Sequence, residues 1–255
     1  MIELKRRGSF SAAVGARGHN YVVELTAAGT LDERTGMVVN MVDVDQVLKS
    51  QVIGPLDGRF LNEEIPYFAL RPPSLENVTA YVWDHVEPRL PRDAALVGVR
   101  VWETSTFWAD LQKKDDNMQV SITRAYDFSA SHRLHSNRLS DQENMAIFGK
   151  CNNPNGHGHN YDVEVTIAGE PDGRTGMLYA LDELDKVVEE EVLLPFDHKH
   201  LNLDVPEFAD LNPTSEALTV VIWEKLARRI SAHGNPRLAK VLVRETARNS
   251  FEYCG

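Results

Sequence analysis

The two halves of this chain match each other at nearly constant spacing, and that internal repeat limits the fold more than any other feature. Gly18-His19-Asn20-Tyr21 answers Gly158-His159-Asn160-Tyr161, an offset of 140. Arg34-Thr35-Gly36-Met37 answers Arg174-Thr175-Gly176-Met177, and Leu61-Asn62 answers Leu201-Asn202, both at the same offset. Glu103-Thr104 answers Glu245-Thr246 at 142, and Phe10-Ser11-Ala12 answers Phe128-Ser129-Ala130 at 118. The second copy therefore carries 22 extra residues, roughly His132 to Asn155. Order and spacing hold together, as a tandem duplication requires. The copies are assigned to residues 1–114 and 118–255, joined at the polar stretch Lys113-Lys114-Asp115-Asp116-Asn117.

Each copy predicts the same string of elements. A first strand leads to a second (20–28 and 160–168) with alternating apolar residues. A helix over 42–52 or 181–193 stops at Pro55 or Pro195. A second helix follows over 74–89 or 214–230, opening on Ser74 or Thr214, residues suited to capping. Strands over 96–104 and 107–111, or 238–246 and 250–254, close each unit. The order ββααββ predicts an α+β unit: a four-stranded antiparallel sheet with both helices on one face. Such a sheet has exposed edges, which oligomerisation into a closed barrel would cover.

The copies differ in chemistry. In an extended strand, residues two apart share a face, so His157 and His159 aim both imidazoles at one point. His132 is the third candidate ligand, and three neutral imidazoles with an open fourth position are the ligand set of a catalytic zinc. Cys151 is a candidate general base or nucleophile, or else a small buried residue. Asp197-His198 offers an acid–base group with an orienting carboxylate. Glu245, if buried, could pair with the donors of a flat heterocycle. Lys199, His200, His135 and Cys254 read as surface or packing residues. In the first copy Val14 stands near the position of His132, Arg17 replaces His157 and Gly58 replaces His198. Only His19 and Glu103 survive there, so that copy is expected to be metal-free.

Composition excludes several partners. A net charge of -11 argues against nucleic acid or an acidic membrane surface, and no apolar run is long enough to span a bilayer. Two cysteines make no disulfide framework, which points to the cytoplasm. An anionic substrate would need local cations; Arg133, Arg138 and Lys150 are the candidates nearest the motif.

The runs from Phe128 to His132 and from Cys151 to Tyr161 carry a family resemblance. Gly176-Met177, Asp197 to Asn202, Pro213-Thr214-Ser215-Glu216 and Glu245-Thr246 extend it. Together they resemble the 6-pyruvoyl-tetrahydropterin synthase family, which includes the 6-carboxy-tetrahydropterin synthases of queuosine biosynthesis. The resemblance implies two tandem tunnelling-fold (T-fold) units, the first a degenerate copy. It implies zinc on His132, His157 and His159, and Cys151 as the proton-abstracting base, assisted by Asp197 and His198 of a neighbouring unit. It implies Glu245 as the pterin anchor, with Thr214, Ser215 and Glu216 lining the pocket, and 7,8-dihydroneopterin triphosphate as substrate. The expected product is 6-pyruvoyl-tetrahydropterin, since five residues separate Cys151 from His157 as in pyruvoyl-forming members. The carboxy-pterin product and a non-catalytic pterin-binding role are the alternatives. The usual assembly, two stacked twelve-stranded barrels, would become a trimer of two-unit chains, with each barrel built from one kind of copy.

Overall fold

The computed structural model describes residues 1–114, 117–231 and 235–255. The centre of the expected linker, residues 115–116, lies outside them. The chain divides into two compact units, Met1–Thr123 with Ala168–Leu178, and Arg124–Ile167 with Tyr179–Gly255. The segment Ala168–Leu178 thus belongs to the first unit, although in the repeat it is part of the second copy.

In the first unit β1 (Ile2–Val14) and β2 (Arg17–Gly29) form an antiparallel hairpin, with Val14 opposite Arg17. Gly15 takes φ of 58° in its turn, a conformation that glycine adopts without steric cost. β3 (Ala94–Thr104) and β4 (Phe107–Lys114) extend the sheet in the order β1-β2-β3-β4. Alternation along β2 buries Tyr21, Val23 and Leu25 on one face. Helix α1 (Met41–Leu48) contributes Val44 and Leu48 to the core. α2 (Leu75–Val86), which packs on β3 and β4, contributes Val78 and Val82.

The second unit repeats the plan: β5 (Asn117–His132, from Arg124 onward), β6 (His157–Gly169, to Ile167), β8 (Arg237–Thr246) and β9 (Asn249–Tyr253), in the order β5-β6-β8-β9. A two-residue strand, β7 (Lys199–His200), pairs in parallel with Ala130 and Ser131 of β5. Its core joins Tyr161, Val163 and Val165 of β6 to Leu218, Ile222 and Leu226 of the long helix from Ser215 to Ile230.

Two expectations need correction. The first helix of each copy does not stop before its proline. It widens into a π turn (Lys49–Ile53, Glu189–Leu193) and runs on through Gly54–Leu56 or Leu194–Phe196. Gly54 N–H reaches back to Lys49 C=O, so the wider turn takes up the register that Pro55 would otherwise break. The continuation is favoured by Leu56 and Phe196, both fully buried. The 22-residue insert also holds a helix that the pattern did not predict, α3 (Asp141–Phe148). It is started by a capping box between Ser140 and Glu143, and buries only Asn144. The remaining helices are α4 (Leu181–Val188) and α5 (Ser215–Ile230). Among the described residues no helix is long and apolar enough to cross a membrane.

Candidate metal and catalytic site

The alternation that builds the core of the second unit also builds its site. Phe128, Ala130 and His132 of β5 are all buried, and the parity that buries Tyr161 and Val163 on β6 continues outward to His159 and His157. Three imidazoles therefore crowd the open end of an apolar layer. One nitrogen from each lies within 4.8 Å of the others, and the rings of His132 and His157 approach to 3.2 Å between their Nε2 atoms.

Their protonation suits metal binding. His132 is 1% exposed and its Nδ1–H donates to Pro213 C=O at 2.7 Å, which leaves the Nε2 lone pair facing His157. Burial lowers the pKa of both His132 and His157, so both rings are held neutral at pH 7. His157 Nδ1 and His159 Nε2 are buried without a hydrogen-bond partner. Orphaned ring nitrogens beside a third free lone pair fit a divalent cation, which supplies the partners that the protein does not. Glu245 Oε1 stands 3.7 Å from Nε2 of both His132 and His159, and its side chain is 15% exposed.

Cys151 sits half-buried on a 3₁₀ turn, Gly149–Asn152, and its carbonyl accepts from Leu134 N–H at 2.9 Å, just beyond His132. Asn152 extends this tether. Its side-chain oxygen lies 2.9 Å from His135 Nδ1 and accepts from Arg133 Nε at 3.2 Å. Arg133 is thereby engaged in holding the loop, while Arg138 borders a separate cavity of 570 Å³. Gly156 closes the loop against the site at φ 69°, where a Cβ would lie 2.8 Å from His132 C=O. Gly156→Ala should therefore cost about 1–3 kcal/mol, as a strained backbone position does. Chemical denaturation measures this, and an unchanged midpoint would mean that the loop is not pinned there.

Asp197 and His198 form the expected pair, with Asp197 Oδ2 2.8 Å from His198 Nδ1. Ser129 N–H donates to Asp197 Oδ1 at 2.9 Å, and this bond, followed by the one from His198, holds the carboxyl below its ordinary pKa. His198 adopts φ of 56°, the left-handed region, where the first copy has Gly58 at 72°. Together with His159, Ser129, Asn160 and His200 it lines a cavity of 650 Å³ in its own unit. His200, read as a surface or packing residue, is half-buried, and its Nδ1 is buried without a hydrogen-bond partner. Thr214 caps α5 by accepting from Ala217 N–H at 3.3 Å; Ser215 is buried, and Glu216 is exposed.

The first copy keeps the frame without the ligands. Phe10 stacks on Tyr21 at 5.0 Å as Phe128 does on Tyr161 at 5.2 Å. His19 Nδ1 pairs directly with Glu103, closing the space that stays open between His159 and Glu245.

The 6-pyruvoyl tetrahydropterin synthase family matches residues 11–114 and 121–255, one segment for each copy. The 6-pyruvoyl tetrahydrobiopterin synthases of Poecilia reticulata and Homo sapiens are both 50% identical to the chain, over 134 and 137 residues. Those spans are 52% and 54% of the chain, and 89% and 92% of the two relatives. A putative 6-carboxy-5,6,7,8-tetrahydropterin synthase of Archaeoglobus fulgidus is 30% identical over 115 residues, 45% of the chain and 81% of its own length. The solved structure of Caenorhabditis elegans 6-pyruvoyl tetrahydropterin synthase shares 46% identity at a TM-score of 0.50. It covers 54% of this chain and 96% of that one, so about half of the chain corresponds to one whole relative.

Proposed function

This chain belongs to the 6-pyruvoyl tetrahydropterin synthase family, and from that premise we propose that its second copy is a zinc-dependent lyase. It would convert 7,8-dihydroneopterin triphosphate to 6-pyruvoyl-tetrahydropterin with elimination of triphosphate. The observation that carries the reading is the meeting of His132, His157 and His159, where the first copy offers Val14, Arg17 and one histidine.

The three histidines would hold the metal, which when bound acidifies side-chain hydroxyls and the adjacent C–H of a coordinated substrate. Cys151 would take the proton released from that carbon. Asp197 fixes the ring of His198 through Nδ1, so that Nε2 is left to exchange a proton with the substrate or solvent. Glu245 would accept from ring donors of the pterin, a role supported by its low exposure and its place beside two imidazoles. Thr214, Ser215 and Glu216 follow Pro213, whose carbonyl orients His132, and so would border the same pocket. The working form is proposed to be a homo-oligomer in the cytoplasm.

Formation of the 6-carboxy product is the second reading, favoured by the match to the Archaeoglobus fulgidus relative. Incubating purified protein with dihydroneopterin triphosphate and identifying the pterin decides between them. The 6-pyruvoyl compound is expected. A carboxy-pterin with acetaldehyde would establish the alternative, and unchanged substrate would leave a binding protein.

A further inference from the structure

The second unit buries one phenol that bonds to nothing. Tyr161 of β6 is fully buried, and among the described residues its hydroxyl has no hydrogen-bond partner. A buried donor left unpaired is destabilising, so the oxygen needs a reason to be there. Packing does not supply one. The ring stacks on Phe128 at 5.2 Å and stands edge-on to His159 at 5.7 Å and to His132 at 6.3 Å, contacts that phenylalanine would make as well.

The matching acceptor stands on the neighbouring strand. Glu245 is the extra residue of a β-bulge in β8, since Arg244 pairs with Ser250 of β9 and Thr246 with Asn249. A bulge re-aims a side chain, and here the carboxylate reaches the histidine face, with Oε1 3.7 Å from Nε2 of both His132 and His159. β6 and β8 are adjacent in the sheet. In the first copy Val22 lies opposite Trp102. The corresponding pair, Asp162 and Arg244, is joined by an ion pair at 3.5 Å, which sets the next residues, Tyr161 and Glu245, abreast. Among the described residues the Glu245 carboxylate accepts no hydrogen bond; its only polar neighbours are the two imidazoles at 3.7 Å. Burial raises the pKa of Tyr161, and the charge of Glu245 raises it further, so the phenol stays a donor. The first copy disposes of the same carboxylate differently, since Glu103, also at a bulge, is paired with His19 Nδ1.

We propose that Tyr161 is a positioning residue whose hydroxyl donates to the Glu245 carboxylate and fixes it for a flat heterocycle with two adjacent N–H donors. Glu245 reaches the phenol by turning about its own side-chain bonds, away from the imidazoles. A carboxylate held at a set angle accepts a pair of parallel N–H bonds, and a loose one has first to be ordered. The same bond keeps the metal site open. A carboxylate turned onto the histidines would become a fourth protein ligand and fill the position that a catalytic metal leaves for substrate. The anchoring role rests on the function proposed above; the bond between Tyr161 and Glu245 does not.

The test joins neopterin binding, followed by its fluorescence, to proton NMR of the full chain. Tyr161→Phe keeps the ring and its stacking on Phe128, and so keeps the fold. At equal zinc content it should weaken neopterin binding roughly tenfold or more, the size of one hydrogen bond to a charged group. Made in a Glu245→Ala background, the same exchange should have no further effect, because the hydroxyl acts only through the carboxylate. With no pterin present, wild type should show a low-field, slowly exchanging hydroxyl proton. Tyr161→Phe should remove it, and Glu245→Ala should remove it or move it upfield. A Y161F protein that binds neopterin as wild type does would overturn the proposal. So would equal weakening in both backgrounds, which marks a packing effect, or a hydroxyl proton that is missing or indifferent to Glu245. If wild type binds no neopterin, the functional reading fails and the proton resonance alone decides the bond.

Discussion

Cys151→Ala should retain about one zinc per chain while kcat falls by roughly 10²–10⁴-fold, the range for removal of a positioned proton-transfer group. The loop should survive the change, because Cys151 is tethered through its backbone carbonyl to Leu134 N–H and not through its sulfur. Asn152, Arg133 and His135 hold the next residue independently. Metal analysis beside turnover of the triphosphate reads both quantities on one sample. Full turnover in the variant would remove Cys151 from the mechanism. Loss of zinc together with activity would make it a ligand.

His157→Ala should purify with little or no zinc and no measurable turnover, yet stay folded. It is a better choice than His132, whose ring lies in the core and is bonded to Pro213. The first copy provides the precedent, since Arg17 occupies the equivalent place at the start of β2. Retained metal would mean that His132 and His159 suffice, contrary to a three-histidine site. The pH response has a definite sign. Burial holds the pKa of His132 and His157 below the ordinary imidazole value, so the unfolded chain takes up protons first. Metal-free protein should be fully stable above the ordinary histidine range and lose stability as pH falls below it. Bound zinc should delay that loss to lower pH.

What could be read from the sequence was whatever has a period. Alternation of two placed His157 and His159 on the face of Tyr161, and the constant offset exposed the duplication. His132 was a candidate from the run beginning at Phe128 and from the family resemblance, not from any period. Bonds without a period stayed hidden. Asn152 holds His135 from 17 residues away and Glu76 reaches Leu178 across 102. Neither partner has a local pattern that marks it. α3 was missed for a related reason, since a helix that buries only Asn144 has no apolar stripe to detect. Pro55 and Pro195 read as helix breakers, but a π turn and one fully buried residue beyond each outweighed them.

The left-handed backbone at His198 sets a limit on engineering this enzyme. A glycine there would relax the chain, as Gly58 does in the sister copy, and any search for heat-resistant variants would be drawn to that position early. The same exchange deletes the imidazole that Asp197 orients. Selection for robustness alone would push the second copy toward the residue that the first copy already carries.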